Sequence, residues 1–235
     1  MALSLRATSG PAAESGWLAG LLPLGVATAE LAGAGDPALL LDAERAALNG
    51  AGPARARTFA AGRLCARRAM ARFGHGDDPL GVQCDGRPRW PAALTGSITH
   101  TGGFAAAAVG ERRRFRAIGI DAAGVGAVTV DLWRHLFGPA ESRWLEGLPR
   151  AAQEQAGALL FSAKEAFFKC QYEVTGQWLE FHDVVVDCAG IDPARSAVAV
   201  RPARRLARLD EGQAVVVRYA FRDGLVLTAA ALDAH

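Results

Sequence analysis

Two long helical patterns without internal proline, residues 54–73 and 151–172, each sit among short strand patterns and limit this chain to an α+β fold. The first is preceded by the break Asn49-Gly50-Ala51-Gly52-Pro53 and ended by Gly74-His75-Gly76-Asp77-Asp78-Pro79. Strands are expected at 21–29, 96–100 and 104–109 around it. The second helix has strands at 115–121 and 184–186, then a hairpin of 214–221 and 225–232 turning at Arg222-Asp223-Gly224. Shorter helices are expected from 36 to 48, 130 to 137 and 140 to 145, and Gly86-Arg87-Pro88-Arg89-Trp90-Pro91 reads as a rigid loop. Each half thus offers one long helix and several strands, which suggests two similar lobes joined near residues 110–117, although no repeat is visible residue by residue.

With 51% hydrophobic and 21% charged residues, the 235-residue chain can bury a core, and a net charge of +2 gives no strong attraction for polyanions. Cys65, Cys84, Cys170 and Cys188 form no CxxC pair, so neither a zinc site nor a disulfide framework is expected, and a reducing cytoplasm is the simplest setting. No stretch is long and apolar enough for a membrane span. The apolar run 17–26, followed by Ala27-Thr28-Ala29, imitates a secretory signal. Glu14 before it, a single basic residue at Arg6 and the interruption at Pro23 argue against one.

All but two of the 26 basic residues are arginine, and both lysines fall in Phe161-Ser162-Ala163-Lys164-Glu165-Ala166-Phe167-Phe168-Lys169. That is either chance or a site needing a compact ammonium that a planar guanidinium does not replace. Glu165 and Lys169 share a helix face, as an ordinary surface pair or as residues facing a cleft. Ile118-Gly119-Ile120-Asp121 is an apolar strand ending in a carboxylate, which caps a turn or sits at the rim of a core. His100, after Ser97-Ile98-Thr99 and before Thr101-Gly102-Gly103, is a structural histidine or part of a phosphate cradle. Arg57, Arg63 and Arg67 form a solvated basic face or bind an anion. A nucleic-acid surface finds no stacking aromatics beside them.

Taken in order, Phe59-Ala60-Ala61-Gly62-Arg63, Gly86-Arg87-Pro88 with Trp90-Pro91, Gly96-Ser97-Ile98-Thr99-His100, Gly119-Ile120-Asp121 and Ser162-Ala163-Lys164-Glu165 with Lys169 resemble the 4'-phosphopantetheinyl transferases, in the surfactin/enterobactin branch. The resemblance covers about residues 55–172. It implies an α+β pseudo-dimer of two lobes, each a small mainly antiparallel sheet packed with a long helix. Residues 1–115 would recognise the nucleotide of coenzyme A, and 116–235 would carry the metal and catalytic residues. It implies transfer of phosphopantetheine from coenzyme A to a carrier-protein serine with Mg²⁺, serving siderophore, non-ribosomal peptide or polyketide synthesis. The family would place the metal on Asp121 and Glu165, and the catalytic roles on Glu165, Lys169 and His100. Coenzyme A would meet Arg57, Arg63, Arg87, Pro88, Thr99, His100, Lys164 and Lys169. A cytoplasmic monomer with no nucleic-acid or membrane partner is expected. The alternative is a non-catalytic protein of the same fold that binds coenzyme A or a carrier.

One departure stands out. Many relatives have an acid two residues after the strand aspartate, where this chain has Ala123. Separately, Leu132, Trp133, Leu136 and Phe137 are spaced as a helical stripe that either fills the core or docks the carrier.

Overall fold

The computed structural model describes residues 16–48, 50–191, 194–209 and 214–234. In chain order its elements are β1 (Ala27–Ala32), α1 (Asp42–Arg45), α2 (Pro53–Met70), β2 (Gly81–Val82), β3 (Pro88–Arg89), β4 (Leu94–Thr101), β5 (Phe104–Glu111), β6 (Phe115–Gly124), α3 (Val130–Leu136), α4 (Pro139–Glu146), α5 (Arg150–Thr175), β7 (Val184–Val186), β8 (Ala197–Pro202), β9 (Val215–Arg222) and β10 (Leu225–Asp233). Proline suits the first position of α2, where its missing N–H has no partner to lose. Helix α5 stops at Gly176, whose φ of 63° is a left-handed conformation that glycine adopts freely.

Some expected elements differ. The pattern at 36–48 is not one helix: Asp36 caps Ala38, and α1 is a four-residue piece between 3-10 turns. Residues 19–21 form a turn, and the strand begins only at Ala27, so the signal-like segment supplies an edge strand paired with β5. The putting-together of the Gly86–Pro91 loop includes a two-residue pairing of β2 with β3. Strand β8 was not anticipated. Arg6, Glu14 and Asn49 lie outside the described residues.

Beside the short β2-β3 pair, the two larger sheets are antiparallel. The first has the order β1-β5-β4 and the second β6-β10-β9-β8-β7. Side chains alternate across a strand, and here both faces of the central strands are covered. Ala105, Ala107 and Val109 of β5 pack on Cys65, Ala66 and Ala69 of α2. On the opposite face, Phe104, Ala106 and Ala108 meet Ile118, Ile120 and Ala122 of β6 with Leu227 and Ala229 of β10. The far face of the second sheet carries Val198, Val217, Val226 and Ala230 against Leu159, Ala163, Phe167 and Cys170 of α5. The layers therefore run helix, sheet, sheet, helix, and the two lobes share a core between their sheets. Among the described residues no helix is long and apolar enough to cross a membrane.

The lobes also meet edge to edge. Strand β6 ends its own sheet, and its backbone donors need partners. Ile120 N–H donates to Ser97 Oγ and Ala122 N–H donates to Thr99 Oγ1, so hydroxyls on alternate residues of β4 replace a backbone ladder.

Gly119 sets how closely α5 approaches. A Cβ there would strike the Ala166 carbonyl oxygen and lie 2.7 Å from Cys170 N. The obstacle is helix backbone, which cannot rotate away. Gly119→Ala is expected to destabilise the fold by about 1–3 kcal/mol, read as a lower urea midpoint. An unchanged midpoint would show that α5 can shift off β6 without loss.

Candidate active site

Strand β6 delivers Asp121 to the lobe boundary, where it is nearly fully buried. Its Oδ1 accepts from Thr99 Oγ1 at 3.1 Å and from Lys169 Nζ at 2.7 Å, and its Oδ2 accepts from Ser162 Oγ at 2.9 Å. Lys169 also donates to the Ile120 carbonyl at 3.1 Å. Three elements, β4, β6 and α5, thus converge on one carboxylate.

Glu165 lies one helical turn before Lys169. Burial pushes its carboxyl pKa up, Lys169 opposes that, and the Asp121 charge adds to it. No hydrogen bond to the Glu165 carboxylate forms among the described residues. Asp121 and Glu165 are therefore neighbouring acids with one ammonium between them, an arrangement that favours a further cation or a held proton.

Beside this node is a cavity of about 600 Å³ between the lobes. Helix α2 contributes Phe59 and Arg63, the β2–β3 loop contributes Arg87, β3 contributes Pro88, β4 contributes His100, and α5 contributes Lys169. Arg63 donates from Nε to the Leu80 carbonyl and lies 4.2 Å over the Phe59 ring. Burial pushes its pKa down to about 10, against the pull of Glu44. A guanidinium so poorly solvated gains most from an anionic ligand. His100 is open to solvent on one side. Burial on the other lowers its pKa, the Lys169 charge adds to the lowering, and Asp121 opposes it. The imidazole is accordingly neutral near pH 7.

The structure brings together Arg63, Arg87, Pro88, His100 and Lys169 at the cavity, with Asp121 and Glu165 behind Lys169. Three expected residues lie elsewhere. Arg57 is exposed and off the cavity wall, whereas Arg55, two residues earlier, is on it. Thr99 is buried and spends its hydroxyl on Asp121 and Ala122. Lys164 points away into the second lobe, where its ammonium donates to Glu141 Oε2 at 2.7 Å and to the carbonyls of Leu136 and Phe181 at 2.9 Å. Lysines 164 and 169 are five apart, so they leave the helix on different faces. Thr101-Gly102-Gly103 is the tight turn between β4 and β5, with Gly103 at a φ of 85°. Sequence reasoning missed Tyr172 and Glu173 on the cavity wall, although both follow Phe168 and Lys169 at helical spacing.

The stripe on α3 resolves toward the core. Trp133 and Phe137 are buried with the second-lobe cluster, while Val130 and Leu132 are exposed. Ala123 also faces that cluster, on the same strand face as Asp121.

Residues 43–110 match the sequence profile of the 4'-phosphopantetheinyl transferase N-terminal domain, and residues 117–219 match that of the 4'-phosphopantetheinyl transferase superfamily. The 4'-phosphopantetheinyl transferase Svp of Streptomyces mobaraensis is 37% identical over 85% of this chain and 81% of its own length. This chain belongs to the 4'-phosphopantetheinyl transferase superfamily. Two further superfamily members are similar to it. The transferase Npt of Nocardia iowensis is 36% identical over 69% of this chain and 72% of its own. The transferase PptT of Mycobacterium tuberculosis is 35% identical over 52% and 53%. The two profiles meet between residues 110 and 117, where β5 ends and β6 begins.

Proposed function

We propose that this chain moves 4'-phosphopantetheine from coenzyme A to a serine of an acyl or peptidyl carrier protein. One observation carries the reading: Lys169, bound to Asp121, stands on the wall of a cavity shared with Arg63, Arg87 and His100. A pyrophosphate with a separate 3'-phosphate is a ligand that the spread cations of Lys169, Arg63 and Arg87 suit. The serine oxygen forms a bond to the phosphorus bearing pantetheine, the bridging P–O bond breaks, and 3',5'-ADP leaves. Glu165, its pKa raised by burial, is a competent acceptor for the serine proton. Lys169 places positive charge beside the transferring phosphoryl group, and Asp121 holds that ammonium in position. In this scheme residues 1–115 bind the nucleotide, while 116–235 carry the acids and Lys169.

The residues also fit Mg²⁺. Asp121 and Glu165 present hard oxygen donors close enough for one charge to raise the other's pKa, and no hydrogen bond among the described residues ties up the Glu165 carboxylate. Among the described residues no group of three His, Cys, Asp or Glu is placed to hold a metal, so water and phosphate oxygens would complete the coordination. When bound there, Mg²⁺ would neutralise pyrophosphate charge. Siderophore, non-ribosomal peptide and polyketide carriers are the proposed acceptors. The cavity is built within one chain, which supports action as a monomer, and the described cysteines are free thiols, which suits the cytoplasm. The test is covalent labelling of an apo carrier at its serine, with a serine-to-alanine carrier as the control.

The position lacking an acid gives a metal test that needs no turnover. Ala123 is buried, so Ala123→Glu places a carboxylate where only a cation would stabilise it. The variant is expected to melt roughly 5–10 °C below the parent in chelator and to recover more than the parent on adding Mg²⁺. Equal Mg²⁺ responses in both proteins would show that residue 123 does not face the ion.

A further inference from the structure

The transfer reading leaves one end of α5 unused. Glu165, Lys169 and Glu173 are each four apart and so follow one helix face. Helix α5 ends at Thr175, and Glu173 lies in its last turn, where no basic residue stands. A carboxylate is unfavourable there, because the unpaired carbonyls make that helix end negative. Its compensating partners come from the other lobe. Arg87 donates from Nη1 to Glu173 Oε2 at 3.0 Å, and Arg112 donates from Nη2 to Oε1 at 2.6 Å.

Arg87 is also fixed at a second nitrogen, since its Nε donates to Asp85 Oδ2 at 2.8 Å, and its guanidinium lies 4.7 Å over the Tyr172 ring. Nη2 of Arg87 donates to no group among the described residues. Arg87, Tyr172 and Glu173 all line the same cavity. Asp85 and Glu173 balance Arg87 and Arg112 in charge, so the group offers an anion a held donor more than a net field.

We propose that Glu173 is a positioning residue for coenzyme A: reaching across the lobe boundary, it holds Arg87 so that the remaining nitrogen serves a ligand oxyanion. Arg112 secures Glu173 from the solvent side. The inference rests on the transfer reading and adds a residue to it. Its role is orientation, which lowers the entropy lost when the ligand binds.

Glu173→Gln keeps the shape and removes the charge. The KM for coenzyme A and the Kd for 3',5'-ADP are expected to rise about 5- to 10-fold, with kcat changed less than about twofold. Arg87→Gln should weaken binding at least as much, and the double variant should be no worse than Arg87→Gln alone, because the carboxylate acts through that arginine. Additive losses, or an unchanged KM with a lower melting temperature, would make Glu173 a lobe staple and overturn the proposal. A lower KM would make it a competitor of the ligand and overturn it equally. A parent chain that binds coenzyme A but labels no carrier would sink the transfer reading while leaving the Glu173 comparison intact.

Discussion

Asp121→Asn is expected to lower transfer by about 10²- to 10³-fold at saturating coenzyme A. The amide matches the carboxylate in size and can still accept from Thr99 or Ser162, but it carries no charge for Lys169 or for a metal. Lys169 would then lose its charged partner and keep the Ile120 carbonyl. Stability should fall as well, by about 1–3 kcal/mol, because buried donors from β4 and α5 converge on this side chain. Asp121 is buried and held by three donors, so Asp121→Ala would mix chemistry with unfolding and the isosteric amide is the cleaner probe. A folded Asp121→Asn chain with near-parental turnover would remove Asp121 from the site.

Lys164→Met is expected to cost about 3–5 kcal/mol of stability, the usual result of stranding one member of a buried ion pair. Both side chains are almost wholly buried, at 1% and 4% exposure. Burial lowers the Lys164 pKa, and the charge and hydrogen bond of Glu141 oppose that lowering. Glu141 also accepts from Gly138 N–H and Val186 N–H, so this knot ties α3, α4, α5 and β7 together. The double change Lys164→Met with Glu141→Leu should recover part of the loss but not all, because those two N–H groups would be left without acceptors. Urea denaturation measures each step. A stable Lys164→Met chain whose KM for coenzyme A has risen would instead return Lys164 to the ligand.

The two-lobe fold was legible because two long proline-free helical patterns each sit among strand patterns, the first opening at the break that ends in Pro53. Gly119-Ile120-Asp121 was legible as a strand bringing a carboxylate to a rim, and the close helix contact at Gly119 explains why glycine precedes it. What sequence could not show was facing. Lys164 and Lys169 look alike along the chain, yet about 140° of helix rotation separates a structural knot from a cavity wall. The same holds for Arg55 and Arg57, and for Trp133, whose stripe reads equally as core or as surface. The core between the sheets was hidden because alanines at 106, 108, 122 and 229 supply much of it, and alanine marks no particular face. Strand β8 could have been found, since Ala197 to Val200 alternates as a half-buried strand should. The arginine grip on Glu173 joins residues 86 and 61 positions apart, a distance that no local pattern spans.

The most direct test of the central claim is intact-mass spectrometry of an apo carrier domain from a non-ribosomal peptide or polyketide synthase, incubated with this chain, coenzyme A and Mg²⁺. The carrier is expected to gain one phosphopantetheine at its serine, with release of 3',5'-ADP, and to gain nothing in chelator or with the Asp121→Asn chain. A carrier that stays apo under conditions where this chain demonstrably binds coenzyme A would contradict the account and leave a binding protein built on a transferase fold.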